Sequence, residues 1–125
     1  MEMLTHSVSW FEIPVTDFER AKLFYSMIYN YEMPEQMMGV SRMGFFLAEK
    51  EGVGGAIVHG EGYVPGQEGS LVYLNGGEDL SVVLDRVENA GGKILAPKTL
   101  ITEEMGYYAL FLDSEGNKVG LYSQR

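Results

Sequence analysis

A strand that runs straight into an acid-started helix occurs twice in this chain, and that repeat limits the folds open to it. In residues 8–15, Phe11, Ile13 and Val15 alternate with Trp10, Glu12 and Pro14, the period of a strand, and the proline suits a strand end. Thr16 and Glu19 then carry the spacing of a capping box, with Asp17 suited to the positive helix end. Phe18, Ala21, Tyr25 and Ile28 step by three or four along one helical face, and the helix should stop near Asn30, before Pro34. The pattern returns after a gap. Residues 71–74 read as a strand, 75–78 as a turn, and Asp79 opens a helix whose Leu80, Val83, Val87 and Ala90 share a face before Gly91 and Gly92 stop it. Asp17 and Asp79 stand 62 positions apart, a spacing that marks an internal repeat.

Short strands follow each helix. In the second half they are expected at 93–95, 107–112 and 118–122, with 113–117 as a hairpin loop, and in the first half at 44–48 and 55–59. Residues 60–69, rich in Gly with one Pro, read as a linker. The expected fold is therefore α+β: two βαβββ modules, about residues 7–60 and 70–123, each a curved mixed sheet with a helix on one face, the two sheets enclosing a cleft. One such half is too small to stand alone, and 125 residues leave room for a single domain spanning 1–125.

Composition removes several function classes. No apolar run reaches the roughly 20 residues that cross a bilayer, and the first six residues lack the basic and apolar stretches of a signal peptide. Cysteine is absent, which excludes thiol nucleophiles and thiolate metal sites. The net charge of −9 opposes binding to nucleic acid or to an anionic membrane. A cytoplasmic protein whose partners are small organic molecules or other chains is the reading that remains.

The local sequences add a resemblance. Residues 10–17 (WFEIPVTD), then Glu19-Arg20-Ala21 and Phe24-Tyr25, look like the opening strand and helix of the vicinal-oxygen-chelate superfamily of glyoxalases, bleomycin-resistance proteins and extradiol dioxygenases. Asp79-Leu80, Ala90-Gly91-Gly92 and 113–117 (DSEGN) look like its second module and final hairpin. The resemblance covers about residues 8–123. It implies two βαβββ modules forming a ligand cleft, commonly in a homodimer, and, in enzymes such as glyoxalase, a divalent metal held by His and Glu from four cavity-facing strands.

The metal ligands do not carry over. Trp10 stands at the first-strand His position, about Val72 at its counterpart in the second module, and Gly120 where the last-strand Glu is usual. These side chains have no lone pairs to offer, whereas a catalytic metal needs about three protein ligands. A relocated set of Glu12, His59 and Tyr122 is poor for zinc or nickel. No cofactor is expected.

The remaining candidates are pocket-lining residues: Trp10 to stack on a ring, Glu12 to accept a hydrogen bond or, if buried, to act as general base, with His59, Tyr73 and Tyr122 as further ligand contacts. For each there is a plainer structural role, as core filler, salt-bridge partner or satisfied surface group, and His6 reads as surface. Met33, Met37, Met38 and Met43 form either an adaptable hydrophobic mouth or irregular packing over the sheet. The glycine run at 52–55 lacks the lysine and the strand–loop–helix setting of a phosphate loop, and Lys98 and Thr99 lie in an expected loop. Two functions compete: a metal-independent lyase- or isomerase-like enzyme with Glu12 as base, and a non-catalytic protein that sequesters its ligand as bleomycin-resistance proteins do. A ferredoxin-like dimer would produce a similar strand and helix order, but it does not call for an acid-started helix straight after a strand in both halves.

Overall fold

The computed structural model describes all 125 residues, Met1–Arg125. Module one comprises β1 (Trp10–Pro14), α1 (Phe18–Tyr29), β2 (Glu35–Met38), β3 (Ser41–Phe45) and β4 (Gly54–His59). Module two comprises β5 (Val72–Asn75), α2 (Ser81–Leu84), β6 (Lys93–Thr102), β7 (Gly106–Leu112) and β8 (Lys118–Ser123). Each forms a mixed sheet of four strands, in the orders β1-β4-β3-β2 and β5-β8-β7-β6. The two are built alike: the first strand runs parallel to the last, and the other pairings are antiparallel. No helix is long and apolar enough to cross a membrane.

Strand alternation sorts every side chain to one of two faces. Ile13 and Val15 of the β1 segment, Ile57 of β4, Leu74 of β5, Ala109 and Phe111 of β7, and Val119 and Leu121 of β8 all join one buried cluster with the α1 face Phe18-Ala21-Phe24-Tyr25-Ile28. One core therefore serves both modules, and α1 is its keystone. Phe24 packs on Phe111 with ring centroids 5.9 Å apart, and Tyr25 meets Phe46 edge-on at 5.1 Å. Each fully buried ring of this kind contributes roughly 1.5–3 kcal/mol from surface removed from water.

Several local expectations are refined. The N-cap of α1 is Asp17, whose carboxylate accepts from Arg20 N at 3.1 Å, while Glu19 turns away to Arg42 at 2.8 Å. The helix ends at Asn30 in the left-handed conformation (φ 54°). The expected helix from Asp79 to Ala90 closes only over Ser81–Leu84 and continues as turns, although Leu80, Val83 and Val87 are buried as its pattern requires. Three valines in that stretch lose χ1 freedom in a helix, which lowers its helix propensity, and most of the hydrogen bonds after Leu84 are of the i+3 type, as from Arg86 N to Val83 O. Residues 96–99, read as a loop, lie inside β6. Pro97 is tolerated there because β6 is an edge strand and its register slips on both sides of Ala96. Strand β2 was not anticipated, since all four of its residues are exposed and no alternation marks them. The methionines divide: Met33 is core, Met43 sits under the opposite face of the first sheet, and Met37 and Met38 are exposed.

The β7–β8 hairpin clasps the two modules. Glu115 accepts from the Thr16 and Asp17 N–H groups at 3.0 and 2.7 Å and pairs with Arg20 at 2.7 Å. It supplies the negative charge that the N-terminus of α1 favours, from the other module. Asn117 donates to Pro14 O at 2.7 Å and accepts from Gly66 N at 3.0 Å, tying the linker down as well.

Candidate functional site

The face of the first sheet turned away from the core is the first place where chemistry-bearing residues converge. Trp10 and Glu12 project there from β1, with Met43 and Phe45 from β3 and Ala56 and Val58 from β4. Trp10 is 45% exposed, and its ring lies 6.3 Å from that of Phe45, tilted by 59°. Its Nε1 donates to Glu12 Oε2 at 3.3 Å. The other carboxylate oxygen accepts from the Tyr63 hydroxyl at 2.9 Å, and this bond to a carboxylate raises the Tyr63 pKa above the usual phenol value. Glu12 is exposed and makes no ion pair, so its negative charge is left unneutralised by any neighbouring cation.

Tyr63 is the residue that sequence reasoning missed. It sits in the glycine-rich linker, yet its ring packs against Met43, Ala56 and Val58. A lone aromatic in an otherwise polar, flexible segment was the available signal.

The second sheet presents a matching outer face of Tyr73, Tyr108, Leu110 and Tyr122. Tyr73 is 48% exposed and lies across its register partner Gly120, where a Cβ would overlap the ring. Tyr122 donates its hydroxyl to Met105 O and lies 3.1 Å from Gln124 Oε1, which ties it to the C-terminal strand's own surroundings. His59 closes β4 with its side chain on the core side of the sheet, beside Arg42, and so on the opposite face from Glu12. Of the five residues expected to meet a ligand, then, Trp10 and Glu12 are in mutual contact, Tyr73 and Tyr122 share the outer face of the other sheet, and His59 stands apart.

The metal site that the resemblance implies does not fit these residues. Facing outward at the corresponding places are Trp10, Tyr73 and Gly120, because Val72 turns inward toward the core. One phenol is the only oxygen among them. No three His, Asp or Glu side chains cluster in a way that could hold a metal ion.

Two hollows stand out on the surface. A polar one of about 760 Å³ lies near the C-terminus, where both cations are already paired, Lys98 with Asp79 at 3.0 Å and Arg125 with Glu78 at 3.3 Å, and Glu103 adds a further carboxylate. The Ser81 backbone N–H, with Lys98, holds the Asp79 carboxyl down to about 2. The second, of about 570 Å³, opens along the seam between β1 and β5 on the core side and is walled mainly by apolar side chains, among them Phe11, Tyr31, Phe46 and Val72.

No family model matches the sequence. A "glyoxylase-like domain-containing protein" of Didymella fabae is 32% identical over 124 residues, covering 92% of each chain. Among solved structures, TnmS3, an antibiotic-binding protein from Streptomyces sp. CB03234, is 26% identical with a TM-score of 0.69 over 98% of both chains. A glyoxalase/bleomycin-resistance protein from Albidiferax ferrireducens T118 superposes with a TM-score of 0.74 at 16% identity, over 96% of this chain and all of the other.

Proposed function

This chain belongs to the glyoxalase-like family of the vicinal-oxygen-chelate superfamily, and from that premise we propose that it is a metal-independent binding protein that sequesters a planar aromatic molecule carrying a cationic or hydrogen-bond-donating group. The observation that carries the reading is the exposed Trp10 ring with Glu12 fixed beside it and lacking any cation partner. An indole face offers stacking, and a carboxylate next to it offers charge complementarity at the ring edge. The antibiotic-binding activity named for TnmS3, which covers nearly this whole chain, supports the same class of role.

The competing catalytic reading makes Glu12 a general base. A carboxylate becomes an effective base near neutral pH when burial raises its pKa. Glu12 is exposed, and both of its oxygens already accept hydrogen bonds, so its surroundings favour holding a ligand over abstracting a proton. A homodimer is part of the proposal. The outer face of the second sheet in another copy, with Tyr73 and Tyr122, would supply the wall opposite Trp10.

Titration with proflavine, a planar aromatic cation, tests the reading through the emission of Trp10, the only tryptophan. Saturable quenching is expected, weakened about tenfold by Glu12→Gln, the scale of a charge-assisted hydrogen bond worth roughly 1.5–3 kcal/mol. The dye should be recovered unchanged. Absence of quenching, or affinity indifferent to Glu12→Gln, sinks the proposal. For any compound that the protein consumes, turnover abolished by Glu12→Gln establishes the enzyme instead.

A further inference from the structure

We propose that the seam cavity is a second ligand site, separate from the Trp10 face, that takes a neutral ring compound bearing at most one or two polar atoms. Trp10 and Phe11 are neighbours on β1 and point to opposite faces of the sheet, so the two sites lie back to back across a single strand. The cavity's volume of about 570 Å³ falls within the roughly 300–1,000 Å³ usual for small-molecule pockets.

Its construction selects the ligand class. Phe11 and Phe46, with centroids 5.4 Å apart, form an aromatic wall, and Tyr31 adds a third ring. The Phe11 ring lies flat on its register partner Gly55, where any Cβ would overlap it. Glycine at that position lets the ring lie back on the sheet and leaves the space in front of it open. The hydroxyls of Tyr29 and Tyr31 are engaged, donating to Asn75 O at 2.7 Å and Phe45 O at 2.9 Å. Burial pushes the Tyr31 phenol up to about 12 and that of Tyr29 higher still, so both stay neutral at physiological pH. No Asp, Glu, Lys or Arg lines the cavity, and a charged ligand entering it would lose hydration without a counter-charge. Polar contact is limited to Ser70, Asn75, Tyr73 at the rim where the strand edge lies between the two faces, and the free edge of β5, which pairs with β8 on one side only.

N-phenyl-1-naphthylamine, a neutral two-ring dye that brightens on leaving water, is the probe. One saturable site per chain is expected, and saturating proflavine should leave the dye in place. Leu47→Trp and Leu71→Trp each fill the mouth from an exposed position, so the fold is spared, as an unchanged melting curve checks. Each should weaken dye binding at least tenfold. The second site is overturned if the dye shows no saturable brightening, if proflavine displaces it, or if neither tryptophan variant weakens it. It is likewise overturned if brightening per chain grows as the protein is diluted into monomers, which would mean that a second copy fills the cavity. Loss of proflavine quenching with dye binding intact would instead remove the Trp10 proposal and leave this one standing.

Discussion

The Tyr25 hydroxyl donates to Asp113 Oδ2 at 2.7 Å with both side chains buried, joining the α1 helix of the first module to the β7–β8 hairpin of the second. Burial together with the adjacent Asp113 carboxylate drives the Tyr25 pKa well above the ordinary phenol value, so the bond keeps its proton at any physiological pH. Asp113 is further satisfied by Asn117 Nδ2 at 3.0 Å and by the Glu115 and Asn117 N–H groups at 2.8 and 2.9 Å. Tyr25→Phe keeps the ring but takes one donor from a buried carboxylate, a loss of roughly 1–3 kcal/mol. At roughly 3–6 °C per kcal/mol for a domain of this size, the melting temperature should fall by at least about 3 °C and by up to about 18 °C. Asp113→Ala should cost more, since it strands the Tyr25 hydroxyl together with the Glu115 and Asn117 backbone N–H groups. Calorimetry on both variants decides; a Tyr25→Phe protein as stable as the parent contradicts the clasp.

Acid should loosen the same hairpin. Desolvation raises the pKa of Glu115, but Arg20 and the Asp17 and Thr16 N–H groups outweigh it, and the carboxyl lies below its usual value. A carboxyl whose folded pKa is depressed adds stability above its unfolded pKa, near 4.3, and loses it as pH falls through the folded value. Urea midpoints should therefore drop below about pH 5, and less steeply in Glu115→Gln than in the parent. Parallel acid slopes for the two proteins would remove Glu115 from this role.

Gly55→Ala tests how the seam cavity is kept open. The added methyl overlaps the Phe11 ring and forces it forward, an overpacking cost of roughly 1–3 kcal/mol. Lower stability and weaker binding of N-phenyl-1-naphthylamine should appear together. Stability and dye affinity both equal to the parent's would show that Phe11 does not depend on this glycine.

Tyr63→Phe should sharpen the Trp10 site. Removing the hydroxyl frees Glu12 Oε1 from its 2.9 Å bond while the ring still packs on the Met43, Ala56 and Val58 cluster. Proflavine should then bind up to about tenfold tighter, since a hydrogen bond to the charged carboxylate, worth roughly 1.5–3 kcal/mol, no longer competes. Weaker binding would make Tyr63 a ligand contact and not a competitor for Glu12.

Prolonged dialysis against EDTA, followed by zinc or nickel, should change neither the melting temperature nor proflavine affinity. Trp10, Tyr73 and Gly120 offer one phenol oxygen where three good donors are needed. Stoichiometric metal in the purified protein would overturn metal independence.

The sequence alone determined the two modules. Helix and strand periodicities are local, so the alternation in residues 10–15 and the stepping of Phe18, Ala21, Tyr25 and Ile28 could be read without knowing what they pack against. It also put Trp10 and Gly120, neither of which offers a metal-binding atom, at two of the places where the resemblance leads one to expect ligands. Where local signals conflicted, neighbours decided. The expected second helix, with its three valines, closed over only Ser81–Leu84, and an edge position allowed Pro97 into β6. Val72 and Tyr73 could not be told apart by counting from Asp79, because a shift of one residue exchanges the two faces of a strand. Only the tertiary structure brought Tyr63 onto Glu12 across 51 positions, set His59 on the far face, and opened a cavity between β1 and β5. Such relations depend on how two sheets meet through a shared core, and no local pattern encodes that meeting.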